Sequence, residues 1–151
     1  HLGNRTELPQ DTGNEGLNAA LIKAVQECRE KEIRFRYVVM GRPDRIDSMD
    51  MGTLLYNLLS NGIEACMAVE TERELELVVR EEDGTIEIFM ENTISGSVLK
   101  NNPNLESRKQ DKRYHGFGME SIRGIIGKYQ GHYSYREESG RFIQEIDLRD
   151  G

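Results

Sequence analysis

Tyr56-Asn57-Leu58-Leu59-Ser60-Asn61-Gly62-Ile63-Glu64-Ala65-Cys66 is the stretch from which the rest of the chain can be read. On a helix, Asn57, Asn61 and Glu64 fall at i, i+4 and i+7 and share one narrow stripe, with Thr53 and Ser60 at its edge. Leu54, Leu55, Leu58, Leu59, Ile63 and Cys66 fill the remaining arc. Such a helix buries most of its circumference yet keeps two amides and a carboxylate on a rigid support, which suits a hard cation or a polar ligand. The same pattern also describes an amphipathic helix whose polar face meets water, the commoner outcome of helical periodicity.

Working outward, the chain of 151 residues is long enough for one domain with a real core. Its 20 Lys and Arg against 27 Asp and Glu leave a net charge of −7. That balance argues against nucleic-acid and membrane-surface partners, since both are polyanionic. Cys28 and Cys66 fall on expected helices among apolar residues, so free, buried thiols and a reducing compartment are expected. No apolar run approaches transmembrane length and no signal peptide is visible, so no direct membrane contact is expected of this stretch of chain.

Residues 1–13 read as an irregular lead-in, and His1 as an exposed terminus. Asn14 is a candidate N-cap for a first helix over about residues 15–31, with Leu17, Ala20, Leu21, Ala24, Val25 and Cys28 at helical spacing. Residues 33–39 alternate as a strand. The central helix follows, capped by Asp47 or Ser48 and running to about Val69. Leu75, Leu77 and Val79, then Ile86, Ile88 and Met90, alternate on either side of Glu82-Asp83-Gly84 as a hairpin. From Thr93 to His115 no period is recognisable, and so long a segment in a compact domain is expected to be functional or mobile. Lys100, Arg108, Lys109, Lys112 and Arg113 against Glu106 and Asp111 give it 5 − 2 = +3. It is either a basic lid for an anionic ligand or a solvated loop.

His115-Gly116-Phe117-Gly118-Met119 opens a third helix, with Met119, Ile122, Ile125, Ile126 and Tyr129 as its expected buried stripe. Glycines at a loop-to-helix junction let the backbone approach a phosphate at the helix N-terminus, or serve steric needs alone. A final hairpin turns at Glu138-Ser139-Gly140. Three helices and about five strands, mostly in hairpins, fit a two-layer α/β sandwich with a mixed, mostly antiparallel sheet and the helices on one face.

In this order the pieces resemble the ATP-binding catalytic domain of sensor histidine kinases, with the GHKL or Bergerat fold shared by gyrase B and MutL. The chain is most similar to the branch found in peptide-pheromone receptor kinases of Gram-positive bacteria. The matching words are Thr12-Gly13-Asn14, the N box Asn57-Leu58-Leu59-Ser60-Asn61-Gly62-Ile63-Glu64-Ala65, Glu91-Asn92-Thr93, and His115-Gly116-Phe117-Gly118-Met119 running into Lys128-Tyr129-Gln130-Gly131. The resemblance implies a domain over residues 14–151, part of a larger kinase, that binds ATP and Mg²⁺. It implies Asn61 as the magnesium ligand with Asn57 assisting. Gly116 and Gly118, with His115, Phe117 and Met119 around them, would meet the triphosphate, Lys100, Lys109, Lys112 and Arg113 would close over it, and Asn92 would meet adenine.

Further implications are phosphoryl transfer to a histidine on separate dimerisation helices of the same parent, a response regulator downstream, a homodimeric parent in the bacterial cell membrane, and a cytoplasmic location for this domain. No phosphoacceptor helix is visible, so the chain by itself is expected not to autophosphorylate. The alternative is a degenerate relative that holds nucleotide or docks a partner without kinase activity. Four positions depart from the family pattern. Asn57 stands where gyrase-type relatives have a glutamate base, which disfavours hydrolysis. Glu64 replaces a lysine common in histidine kinases and would orient water, magnesium or a lid lysine. Gly62 replaces an alanine, and Asn92-Thr93-Ile94-Ser95-Gly96 is a reduced form of Asp-x-Gly-x-Gly.

Overall fold

The computed structural model describes residues 10–106 and 118–149. Lys109, Lys112, Arg113, His115, Gly116 and Phe117 of the expected site lie outside the described residues. Within them the elements are α1 (Glu15–Glu30), β1 (Arg34–Met40), α2 (Ser48–Met67), β2 (Glu74–Glu82), β3 (Thr85–Thr93), α3 (Gly118–Lys128), β4 (His132–Glu138) and β5 (Arg141–Arg149). The five strands form one sheet in the order β1-β2-β3-β5-β4. β1 and β2 are parallel, and the other pairs are antiparallel. A parallel pair needs a long crossover, and α2 is that crossover, which places it over the middle of the sheet. The result is the expected two-layer α/β sandwich.

Burial follows the sequence pattern closely in α2. Leu54, Leu55, Leu58, Leu59, Ile63 and Cys66 are all buried, against Leu75, Leu77, Ile86, Ile88 and Met90 of the sheet. The polar caps are also those the sequence offers. Asn14 Oδ1 accepts from Leu17 N at 3.1 Å, and its Nδ2 donates to the carbonyls of Pro43 and Ile46, each at 2.9 Å. One side chain thus starts α1 and fastens the loop that leads from β1 to α2. Asp47 caps α2 through Asp50 N at 3.0 Å. α1 and α2 cross closely because Gly16 faces Gly52: a Cβ on Gly16 would lie 1.9 Å from the Ser48 carbonyl oxygen. Both hairpins turn on two residues with positive φ, Asp83-Gly84 and Ser139-Gly140, as two-residue loops with this twist require.

Two expectations need correction. Residues 94–106 are not structureless. Glu137 on β4 accepts hydrogen bonds from Ser97 Oγ at 2.7 Å, Val98 N at 2.5 Å and Leu99 N at 2.8 Å. Asn102 exchanges two bonds with the backbone of Glu106, Arg123 donates to Asn104 O and Tyr135 to Pro103 O, and Leu105 is buried. Side-chain-to-backbone bonds of this kind fix a turn without leaving any period in the sequence. In α3, Ile122 and Ile126 are buried, whereas Met119, Ile125 and Tyr129 are only partly so. α3 lies at the edge of the helical layer, where one narrow line of contact suffices.

Candidate functional site

A cavity of about 270 Å³ opens beside the C-terminal half of α2. α2 contributes Asn61, Glu64 and Ala65, the sheet contributes Asn92, Phe142 and Gln144, the fixed turn contributes Ile94, Val98 and Leu105, and α3 contributes Met119. Apolar walls with a few converging amides suit a flat, partly polar ligand such as a heterocycle.

The asparagine stripe lies at one end of this cavity, against the start of α3. Asn57 Nδ2 donates to Thr53 O at 2.8 Å, which anchors the amide and leaves its oxygen available. Among the described residues no hydrogen bond engages the Asn61 amide. A Cβ built on Gly118 would lie 3.5 Å from Asn57 Oδ1, 3.9 Å from Asn61 Nδ2 and 4.0 Å from Asn61 Oδ1. The backbone at the start of α3, where a helix presents its first N–H groups, is therefore brought beside the Asn57 and Asn61 amides. Amide oxygens beside a helix N-terminus are the kind of groups that could hold a hard cation together with an anion.

Asn92 is 1% exposed, and its Nδ2 donates to Thr93 O at 3.1 Å, so its oxygen is the end left for the cavity. Gly62 owes its small size to this neighbourhood, since a Cβ there would sit 2.8 Å from Leu75 Cδ1 and 3.3 Å from Met90 Cε. Glu64 is exposed at the cavity rim. Lys100 is exposed and does not line the cavity, and its backbone N–H donates to Ser97 Oγ.

The charged groups around the site are set by their partners. Burial pushes the Glu137 carboxyl up, but the bonds from Ser97, Leu99 and Val98 outweigh it and hold the pKa below the usual value. Asp50 is held low by Lys128 at 2.7 Å and by Tyr129 at 2.6 Å, which joins the end of α3 to the start of α2. Burial pushes Cys28 up to about 12 and Cys66 also upward, so both free thiols stay protonated and unreactive.

Sequence reading missed Gln144, Phe142, Leu105 and Glu137. Gln144 left a signal, because it occupies an inward position in the alternation Phe142-x-Gln144-x-Ile146-x-Leu148. A polar residue on the core face of a strand marks either a buried network or a site. Glu137 left none, since its partners are backbone groups brought near by the fold.

Residues 46–149, more than half of the chain, match the GHKL domain family model. The chain belongs to the GHKL domain family. Solved structures similar to this GHKL domain include the catalytic domain of histidine kinase ThkA in a nucleotide-free form. It is 15% identical, with a TM-score of 0.70, and the match covers 96% of this chain and 97% of that one. The Acinetobacter baumannii histidine kinase AdeS is 14% identical at a TM-score of 0.64, covering 89% of this chain and 63% of that one. The histidine kinase domain of the Erythrobacter litoralis EL346 blue-light activated kinase is 14% identical at a TM-score of 0.65, covering 97% and 66%. No curated protein matches the sequence. At these identities the likeness establishes the fold, and it extends over α1 and β1, which precede the family match. Among the described residues no helix is long and apolar enough to cross a membrane.

Proposed function

We propose that this GHKL domain binds Mg-ATP and presents the γ-phosphate to a histidine on separate dimerisation helices of the same parent protein. The observation that carries the reading is the approach of the start of α3, at Gly118, to the amides of Asn57 and Asn61, which supports a joint metal and phosphate site. Asn61 holds the magnesium and Asn57, fixed by Thr53, assists it. The residues fit the ion because both are neutral oxygen donors, and Mg²⁺ takes few protein ligands while sharing its shell with phosphate and water. When bound, magnesium supplies neutralisation of charge on the phosphate oxygens. Gly116 and Gly118 let the backbone meet the triphosphate, with His115, Phe117 and Met119 around them. Lys109, Lys112 and Arg113 belong to the segment that closes over the phosphates, and Lys100 adds positive charge from the fixed turn beside it.

Asn92 accepts from the adenine amino group, and the apolar walls sandwich the base. Asn57 carries no basic group to activate water, which favours transfer to a positioned nucleophile over hydrolysis. The parent is read as a homodimeric membrane kinase of the pheromone-receptor branch, with this domain on the cytoplasmic side and a response regulator downstream.

Thermal melting with an ATP analogue tests the nucleotide reading, since a ligand bound to the folded state alone raises stability by RT ln(1 + [L]/Kd). The melting temperature should rise with analogue and Mg²⁺ together and rise less with analogue alone. No shift at millimolar analogue overturns the reading. Mixing the chain with its dimerisation helices and labelled ATP tests the transfer: label should reach the helices and not the isolated chain, whereas a docking module transfers none.

A further inference from the structure

Two buried amides present opposite hydrogen-bonding ends to the cavity. Asn92 is 1% and Gln144 5% exposed, and both line it. The register of β3 and β5 sets Asn92 opposite Phe142 and Met90 opposite Gln144, so the two amides are diagonal neighbours on the core face. Each is held in one orientation. Asn92 Nδ2 donates one of its two N–H groups to Thr93 O at 3.1 Å, which orients the amide and leaves Oδ1 as its acceptor. The Tyr133 hydroxyl donates to Gln144 Oε1 at 2.5 Å, so Gln144 keeps a donor, Nε2. Among the described residues neither of these two remaining atoms has a hydrogen-bond partner, and neither is sealed away from solvent.

An acceptor beside a donor calls for a ligand edge with a donor beside an acceptor. Adenine has this edge twice, because its amino group is flanked by N1 on one side and N7 on the other. Guanine places the O6 acceptor where adenine has the amine, so an oxygen would face the Asn92 oxygen. We propose that Gln144 donates from Nε2 to the adenine ring nitrogen beside the amino group, completing the contact made by Asn92, and that Tyr133 is the positioning residue that holds Gln144 in the donating orientation. The inference rests on the nucleotide reading above and adds to it the residues that choose the base. Burial pushes the Tyr133 phenol pKa upward, so the hydroxyl remains a proton donor throughout the neutral range.

Calorimetry on the chain with ATP, GTP, 1-deaza-ATP and 7-deaza-ATP in the presence of Mg²⁺ decides it. The wild-type chain should bind ATP at least about tenfold more tightly than GTP, and one deaza analogue about tenfold more weakly than ATP, naming the ring nitrogen used. Gln144→Leu should lose about tenfold for ATP and bind that deaza analogue as tightly as ATP. Tyr133→Phe should lower the ATP-to-GTP ratio several-fold while leaving the Mg²⁺ dependence of ATP binding unchanged, a result that general loosening of the fold does not produce. If Gln144→Leu shows no cooperative melt, Gln144→Glu replaces it and should weaken ATP, because both carboxylate oxygens accept. Equal binding of ATP and both deaza analogues by the wild type overturns the inference and leaves the nucleotide site standing. So does a deaza penalty that persists in the Gln144 variant. Absence of any nucleotide binding by the wild type removes the nucleotide reading and this inference together.

Discussion

Asn14 shows how much one side chain can organise. It is 2% exposed and uses both ends of its amide, capping α1 with the oxygen and holding Pro43 and Ile46 with the nitrogen. Asn14→Ala removes a cap and leaves two buried carbonyls short of a partner. It should cost about 3 kcal/mol, read as a lower urea midpoint at unchanged slope. The cap was legible from Asn14 standing before Glu15 and an apolar period, but the link to the loop after β1 was not, because those carbonyls lie about thirty residues away in sequence. Asn61 is the opposite case, a side chain with no hydrogen-bonded support among the described residues. Asn61→Ala should leave the melting temperature within a degree or two of wild type while abolishing Mg²⁺-dependent nucleotide binding by calorimetry; undiminished affinity would count against the metal assignment.

At the scale of elements, three joints position the site. The first is the α1–α2 crossing, where a methyl group on Gly16 would meet the Ser48 carbonyl at 1.9 Å. Gly16→Ala should therefore destabilise by about 2 kcal/mol despite the better helix propensity of alanine, as measured by urea unfolding. The second is Asp50, bound by Lys128 and Tyr129. Its folded pKa lies below the ordinary value of 3.8. The stability it contributes is therefore complete above that value and is lost as pH falls through the lower folded pKa. Asp50→Asn should flatten the pH dependence of unfolding below about pH 4, and a variant with the wild-type acid profile would exclude Asp50 as its source. The third is Glu137, which fastens the 94–106 turn to β4. Glu137→Ala should speed amide exchange at Val98 and Leu99 and weaken nucleotide binding several-fold through the loosened wall, with little effect on exchange in α2.

For the molecule as a whole, one hydrophobic cluster draws side chains from all three helices and from four strands, with Tyr133 of β4 packed against it. No part of this core is separable, so unfolding should be one cooperative transition, with far-ultraviolet circular dichroism and tyrosine emission giving coincident curves. Two resolved transitions would mean that the α1–β1 segment, which lies before the family match at residue 46, folds by itself. The sheet order β1-β2-β3-β5-β4 also explains why the cavity forms beside α2. The central helix lies over β2 and β3, α1 lies over β1, and α3 packs on β4 and β5 and against the central helix, leaving a gap over β3 and β5 for the turn to wall in.

The sequence by itself determined the elements, the buried face of α2, both hairpin turns and the stripe Asn57, Asn61, Glu64. These are local properties, written in periods of two and 3.6 and in the residues that caps and turns require. Only the tertiary structure decided that Gly118 meets the stripe, that residues 94–106 are a fixed wall, and that Gln144 joins Asn92 in one cavity. Each of those depends on groups far apart in the chain whose meeting is set by strand order and register, and neither periodicity nor composition records them.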